Sequence, residues 1–130
     1  MKQGHPKRVH KVLVIDDERV IALTLARIFS DQGYDARPAY SAEEALDVVG
    51  FWVPDLAVVD VKLPGMNGID FAIHLIANCS GCRVLLFSGQ PESGELLENA
   101  KKKGHHLELI AKPVHPDSML ERARELLAPA

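Results

Sequence analysis

Short apolar runs alternate with amphipathic stretches along the whole chain. The runs, such as 11–15 (KVLVI) and 83–87 (RVLLF), are continuous and rich in β-branched residues, which is typical of parallel strands that are buried on both faces. Between them, apolar residues such as Ile21, Leu25 and Ile28 recur at helical spacing. The pattern predicts strands near 11–15, 34–40, 55–60, 83–87 and 107–111, each followed by a helix.

Residues that start and stop helices support this division. Ser41 followed by Glu44 has the spacing of a capping box, Pro116 suits the first turn of the last helix, and Gly104 ends the helix before it. Pro38 cannot donate a backbone hydrogen bond, which favours an edge position for the second strand. Five strands alternating with five helices predict an α/β fold, with a doubly wound parallel sheet covered by helices on both faces.

Composition restricts the class of protein. The chain has 130 residues, 47% of them hydrophobic and 25% charged, which predicts one globular domain. A net charge of -3 gives no general attraction to nucleic acid, and the chain has no apolar run long enough to span a membrane. With no apolar secretory signal at its start, we expect a cytoplasmic protein. We predict a flexible basic tail at 1–10 and a folded domain at 11–128.

Two cysteines, Cys79 and Cys82, form a single C-x2-C pair. One pair supplies too few ligands for a four-coordinate zinc site. We therefore predict two reduced thiols in a loop.

Polar side chains stand where four of the predicted strands end. Asp16 and Asp17 follow the first strand, Asp60 ends the third, Ser88 follows the fourth and Lys112 follows the fifth. In a doubly wound sheet, ligands bind beyond the carboxyl ends of the strands. Three carboxylates suit a hard cation such as Mg²⁺, and the lysine adds a second positive charge. Singly, these residues could be helix caps, a turn residue, a loop serine and a solvated lysine, but their convergence favours one site.

At this point the sequence resembles the receiver domain of two-component response regulators. The resemblance covers about 11–128 and implies the flavodoxin-like (βα)5 fold with strand order 2-1-3-4-5. It is carried by four motifs in the expected order, VLVIDDE (12–18), DLAVVDVKLPGMNG (55–68), VLLFSG (84–89) and IAKP (110–113).

The resemblance implies a role for each residue at the strand ends. Asp60 would accept a phosphoryl group from a sensor histidine kinase or a phosphotransfer protein. Ser88 would hydrogen-bond a phosphoryl oxygen, and Lys112 would pair with the acyl phosphate. The Mg²⁺ ligands would be Asp16, Asp17, Asp60 and the backbone carbonyl of Lys62. The domain would be a signalling module rather than an enzyme, acting on a downstream protein or a missing output domain and without direct contact to nucleic acid or membrane.

Other readings of the same pattern differ at single positions. A cofactor-binding flavodoxin would need a phosphate-binding loop after the first strand, where this chain has acids. A haloacid-dehalogenase-type hydrolase would need an acid at position 62, which is lysine. Leu109 occupies a position that is often aromatic in receivers, which leaves a phosphorylation-independent interaction module as the alternative. Without an aromatic residue there, we expect the response in the loop 88–94 and the helix near 93–103.

Overall fold

The computed structural model describes residues 8–89, 93–105, 107–112 and 115–129. Strands and helices alternate along the chain, as the hydrophobic pattern predicts. The strands are β1 (Lys11–Ile15), β2 (Asp35–Ala39), β3 (Leu56–Asp60), β4 (Arg83–Ser88) and β5 (Glu108–Ala111). The helices are α1 (Arg19–Asp31), α2 (Ala42–Val49), α3 (Gly68–Asn78), α4 (Ser93–Lys102) and α5 (Pro116–Leu127).

All five strands form one parallel sheet in the order β2-β1-β3-β4-β5, which confirms the predicted fold class and strand order. β2 lies at one edge, where Pro38 pairs with Val14 on one side alone. The register aligns Ile15 with Val59, and Ser88 with Ala111. The carboxyl ends of four strands therefore lie side by side.

The two faces of the sheet carry separate apolar clusters. One cluster joins the sheet to α2, α3 and α4, with Phe71 as its largest fully buried side chain. The other joins the sheet to α1 and α5 around Phe29 and Met119. Because alternate residues of β1 and β3 point into different clusters, neighbouring positions such as Leu13 and Val14 are both fully buried. This burial on both faces explains the continuous apolar runs in the sequence.

The predicted cap of α2 is confirmed, with one change in its bonding. The Glu44 backbone N–H donates to Ser41 Oγ at 3.0 Å. The Glu44 carboxylate accepts from the N–H of Tyr40 at 2.7 Å, rather than from the N–H of the cap residue itself. The start of α2 is therefore fixed to the end of the segment that follows β2.

The prediction of two reduced thiols is wrong for this structure, because Cys79 and Cys82 form a disulfide. α3 ends at Asn78, and a turn in which the Cys82 N–H donates to the Cys79 carbonyl brings the two Cα atoms to 5.6 Å. That separation lies within the range that a disulfide spans. The bond connects the end of α3 to the start of β4, and Cys82 is buried.

Some sequence predictions fall outside the described residues. These are 1–7 of the predicted tail, 90–92 of the loop 88–94, and Pro113 of the last motif. Arg8 is described and forms an ion pair with Asp55. The division of the chain at residue 10 stays a prediction. Within the described ranges, none of the helices has the length and apolar character to cross a membrane.

Candidate functional site

A cleft of about 480 Å³ opens at the carboxyl ends of the strands. Asp60 ends β3, Ser88 ends β4, and Lys112 directly follows β5. The residues that line the cleft are Asp17, Glu18, Asp60, Lys62, Gly89 and Lys112. The parallel sheet thus collects side chains that lie up to 95 residues apart in sequence, from Asp17 to Lys112.

Three carboxylates meet at this edge. Asp16, Asp17 and Asp60 each offer an oxygen, and these oxygens lie within 4.8 Å of one another. Asp16 is 0% exposed and Asp60 is 5% exposed, whereas Asp17 is open to solvent. Oxygen ligands from two or three carboxylates at such spacing suit a hard divalent cation.

Lys112 supplies positive charge to the same cluster. Its Nζ lies 3.4 Å from Asp60 Oδ2 and 3.7 Å from Asp16 Oδ2. The Nζ also lies 4.9 Å from the centre of the Phe87 ring, at a distance where a cation is attracted to an aromatic face. The backbone N–H of Lys112 donates to the Ser88 carbonyl at 2.9 Å. This bond fixes the base of the lysine to the end of β4.

Burial makes the two inner acids unusual. Desolvation raises the pKa of Asp16 from 3.8 to about 6, against the lowering effect of the Glu18 N–H, which donates to Asp16 Oδ1 at 2.9 Å. Desolvation likewise raises the pKa of Asp60, although Lys112 acts in the opposite direction. One ammonium group therefore offsets only part of the cost of burying these charges.

The second oxygen of Asp16 lacks a normal partner. Among the described residues, one buried side-chain oxygen or nitrogen atom has no hydrogen bond, and this atom is Asp16 Oδ2. Such an atom carries a desolvation cost unless another group binds it. α1 begins with Glu18 as its N-cap residue and has no side-chain cap bond, so neither Asp16 nor Asp17 acts as that cap. The three carboxylates are placed so that they could hold a metal ion.

The segment after β3 shapes the side of the cleft next to Asp60. The Lys62 N–H donates to Asp60 Oδ1 at 3.2 Å, and the Gly68 N–H donates to the Val61 carbonyl at 2.8 Å. A Cβ atom at Gly68 would lie 2.2 Å from the backbone oxygen of Asp60, which is far inside van der Waals contact. The sequence interpretation missed Gly68, although a glycine directly before a predicted helix can indicate close approach of backbone.

Ser88 and Leu109 lie on neighbouring strands. Ser88 is 5% exposed at the end of β4, next to the strand that carries Leu109. Leu109 pairs with Leu86 and packs, partly buried, against the cluster beneath α4. The position that is often aromatic in receivers therefore holds an aliphatic side chain that contributes to the core.

Comparisons with known proteins agree with this architecture. A family model described as the response regulator receiver domain matches residues 12–124. Sporulation initiation phosphotransferase F of Bacillus subtilis is 30% identical over 117 residues, which cover 90% of this chain and 93% of that protein. The DNA-binding response regulator MtrA of Mycobacterium tuberculosis is 29% identical, and the match covers 90% of this chain but 50% of MtrA. The chain thus spans about half the length of that relative.

A solved structure has the same architecture. The CheY-like receiver domain protein from Methanospirillum hungatei aligns with a TM-score of 0.80 and 26% identity, over 92% of this chain and 94% of that one. The family model covers nearly all of the sheet and its helices, and the shared strand order accounts for the structural match. The chain therefore belongs to the response regulator receiver domain family of two-component systems.

Proposed function

We propose that this receiver accepts a phosphoryl group on Asp60, from the histidine of a sensor kinase or phosphotransfer protein, in a reaction that requires Mg²⁺. The observation that carries the proposal is the position of Asp60, in an open cleft, 3.4 Å from Lys112 Nζ and within 4.8 Å of the oxygens of two further acids. Membership of the receiver family also supports this proposal.

The residues present fit a magnesium ion. Asp16, Asp17 and Asp60 would hold it together with the backbone carbonyl of Lys62. The buried Oδ2 of Asp16, which has no hydrogen bond and has the Lys112 ammonium at 3.7 Å, would gain a ligand. Mg²⁺ binds few protein oxygens and retains several waters, which suits an open cleft. When bound, the ion would supply positive charge against the oxygens of the transferred phosphoryl group.

The side chain of Asp60 would act as the nucleophile. Its carboxylate must be ionised to attack phosphorus, and Lys112 favours the ionised form against the effect of burial. In the transfer, an Asp60 oxygen forms a bond to phosphorus as the bond from phosphorus to the donor histidine nitrogen breaks. The histidine ring keeps that electron pair, and the product is an acyl phosphate. The Lys62 N–H, which donates to Oδ1, limits rotation of the carboxylate.

Lys112 and Ser88 act on the product. The ammonium of Lys112 would move from the two carboxylates onto an oxygen of the phosphoryl group, which as a whole carries more negative charge than one carboxylate. The hydroxyl of Ser88 would donate to another phosphoryl oxygen. Because Ser88 ends β4 directly before the segment that leads to α4, its movement would shift that segment and α4, and so change the affinity for a downstream partner.

A second function has one observation in its favour. Leu109 packs into the core where receivers often have an aromatic switch residue. A receiver without that switch could serve as a constitutive interaction module with the same fold. Such a module would bind its partner equally well with and without phosphate on Asp60.

The partners and the location in the cell are also proposals. A kinase or phosphotransfer protein as donor, and a target protein or output domain as recipient, follow from the family. We expect no direct contact with nucleic acid because of the net charge of -3, although MtrA is a DNA-binding regulator. A cytoplasmic location stays a prediction.

Phosphorylation can be measured by intact mass. After incubation with acetyl phosphate and Mg²⁺, the protein should gain one phosphoryl group, and EDTA should abolish the gain. Asp60→Asn should remain unlabelled. Asp55→Asn, which changes an aspartate at the amino ends of the strands, should label normally. Undiminished labelling of Asp60→Asn would contradict the assignment. If the protein labels at Asp60 but binds its partner equally in both states, the interaction-module function is favoured.

A further inference from the structure

The segment 61–67 must keep a fixed shape if it is to present a backbone carbonyl to a metal. Both of its ends are held by backbone bonds, because the Val61 N–H donates to the Phe87 carbonyl at 3.0 Å and the Gly68 N–H donates to the Val61 carbonyl at 2.8 Å. Between these ends Leu63 is buried in the core and Met66 packs against it half-buried, whereas Lys62 and residues 64–65 are exposed. The exposed turn at 64–65, beyond Leu63, therefore gains from a contact with another element.

That contact comes from Glu43, in the first turn of α2. Its Oε2 accepts a hydrogen bond from the Met66 N–H at 3.2 Å, across 23 residues of sequence. The same oxygen lies 2.8 Å from the place that a Cβ atom would take on Gly65, whose φ is +76°. The glycine thus permits both the turn and the close approach of the carboxylate.

The start of α2 is itself connected to the acidic segment that follows β1. Glu44 accepts from the Tyr40 N–H, and the Arg19 guanidinium lies 4.0 Å from the centre of the Tyr40 ring. Arg19 is the first residue of α1, directly after Glu18, whose N–H holds Asp16. The two segments that bear the proposed metal ligands are therefore joined through the first turn of α2.

We propose that Glu43 is a positioning residue for the metal site, one that holds the segment 61–67 so that the Lys62 carbonyl can act as a ligand. The proposal rests on the proposed function for the identity of that ligand. Glu43 acts through the Met66 N–H and touches neither the ion nor the phosphoryl group. Its effect therefore falls on the affinity for Mg²⁺ and leaves the chemical step unchanged.

Alanine and glutamine at position 43 separate the hydrogen bond from the charge. Glu43→Ala should weaken Mg²⁺ binding by about three- to tenfold in calorimetric titration, the range of one ordinary hydrogen bond. Labelling by acetyl phosphate should then need more Mg²⁺ but reach the wild-type rate at saturation. Glu43→Gln retains an oxygen that accepts from the Met66 N–H, so it should restore the affinity. A glutamine variant as weak as the alanine variant would overturn the proposal.

Glu44→Ala is the matched control. It removes a neighbouring carboxylate from the same turn of α2 and takes the acceptor from the Tyr40 N–H, but its own backbone N–H, not its side chain, bonds Ser41. It should lower the stability of α2 but weaken Mg²⁺ binding less than Glu43→Ala does, because the bond from the Met66 N–H to Glu43 remains. The Met66 amide should exchange faster with solvent in Glu43→Ala than in Glu44→Ala. Equal Met66 exchange and equal Mg²⁺ affinity in the two variants would overturn the proposal.

Gly65→Ala gives a second test through the opposite partner. Its methyl group would displace the Glu43 carboxylate, and the positive φ adds strain of its own. In a Glu43→Ala background the clash disappears and the strain remains. Gly65→Ala should therefore reduce Mg²⁺ affinity less in that background than in the wild type, whereas additive effects would contradict the proposed contact.

The outcome can be separated from that of the proposed function. If the wild type binds Mg²⁺ but acetyl phosphate does not label it, phosphorylation at Asp60 fails. Mg²⁺ affinity and Met66 exchange would still test Glu43, because both are measured without phosphate. If labelling proceeds and Glu43→Ala leaves both measurements unchanged, the positioning role fails alone.

Discussion

One aspartate, Asp55, lies at the amino ends of the strands, and another, Asp16, lies at their carboxyl ends. The surroundings of the two residues are opposite. Asp55, at the amino ends of the strands, accepts from the Lys11 N–H at 2.8 Å and pairs with the Arg8 guanidinium. Asp16, at the carboxyl ends, is fully buried, has an oxygen without a hydrogen bond, and has its pKa raised by desolvation to about 6.

The difference separates an acid whose partners lie in its own chain from an acid whose burial is only partly compensated. Asp55 is satisfied by its own chain, because its backbone also joins neighbouring strands, with its N–H on the Lys11 carbonyl and its carbonyl on the Arg83 N–H. Asp16 shares one ammonium, that of Lys112, with Asp60. We therefore expect the buried acids at the carboxyl ends of the strands to lower stability without metal, and Asp55 at the amino ends to contribute to it.

The largest expected effect comes from adding a methyl group at Gly68, next to the carboxyl ends of the strands. Gly68→Ala places a Cβ atom 2.2 Å from the Asp60 oxygen. It should lower the free energy of unfolding by about 3 kcal/mol and slow acetyl-phosphate labelling by about a hundredfold, since Asp60 itself is displaced.

Gly81→Ala, before β4 at the amino edge, is the control. Within the described part of the chain, its Cβ would meet no heavy atom closer than 4 Å. Denaturant melts should place it within about 0.5 kcal/mol of wild type. Similar losses in the two variants would show that the carboxyl edge is not the more tightly packed one.

The second prediction concerns pH without metal. The folded pKa of Asp16, about 6, lies above its ordinary value of 3.8, so the folded state binds more protons between these values. The free energy of unfolding in EDTA should therefore fall as pH rises from about 4 to 6, by on the order of 3 kcal/mol, and level off above that. The raised pKa of Asp60 acts in the same direction.

Asp16→Asn removes the ionisable group from the carboxyl edge. In EDTA at pH 7 the variant should be as stable as wild type or more so, its pH slope should be flatter, and added Mg²⁺ should stabilise it less. Thermal melts across the pH series measure all three. A steep rise of wild-type stability from pH 4 to 6 would contradict the origin of the shift in burial.

The third prediction tests whether a change at the amino ends of the strands alters Mg²⁺ binding at the carboxyl ends. Reduction of the Cys79–Cys82 disulfide should lower stability by about 2 kcal/mol, as expected for so short a loop. Mg²⁺ affinity should not change, because the bond lies at the end of α3 and the start of β4, away from the cleft. Cys79→Ser should be insensitive to reductant. A loss of Mg²⁺ affinity on reduction would mean that the disulfide and the cleft at the carboxyl ends are coupled.

The smallest effect is expected at Asp55 itself. Asp55→Asn removes the charge that faces Arg8 but keeps an oxygen for the Lys11 N–H, and the Arg8 side chain is 72% exposed. The loss should be about 1 kcal/mol or less in EDTA, with Mg²⁺ binding unchanged. A gain in stability, as expected for Asp16→Asn, would abolish the distinction between the two aspartates.

The sequence predicts the fold and the strand ends because both follow from short-range patterns. The apolar runs specify strands that are buried on both faces, and parallel pairing then brings Asp60 and Lys112 together across 52 residues. Nothing in the run VLVIDDE shows which of its first two acids turns inward, because that depends on how the chain leaves the sheet. The structure gives that place to Asp16 and leaves Asp17 exposed.

Two further features depend on distances that the sequence does not contain. The disulfide requires α3 to end at Asn78, so that the following turn brings the two cysteines together. The contact of Glu43 with Met66 requires α2 and the segment after β3 to be neighbours. The first separation is set by a local turn and the second by tertiary packing, and neither follows from the hydrophobic periodicity.

The position of Lys112 after the last strand has a consequence for synthesis and folding. A chain made from its amino terminus contains β1, β3 and β4, with all three acids, before Lys112 is added. β5 is an edge strand of four residues, none of them fully buried, so Leu109 and Ile110 gain only part of the hydrophobic contact of a central strand when it docks. Attraction between the ammonium and the waiting carboxylates adds a directional force to this closing step. The charge that the proposed phosphorylation site requires would thus also favour the docking of the last strand.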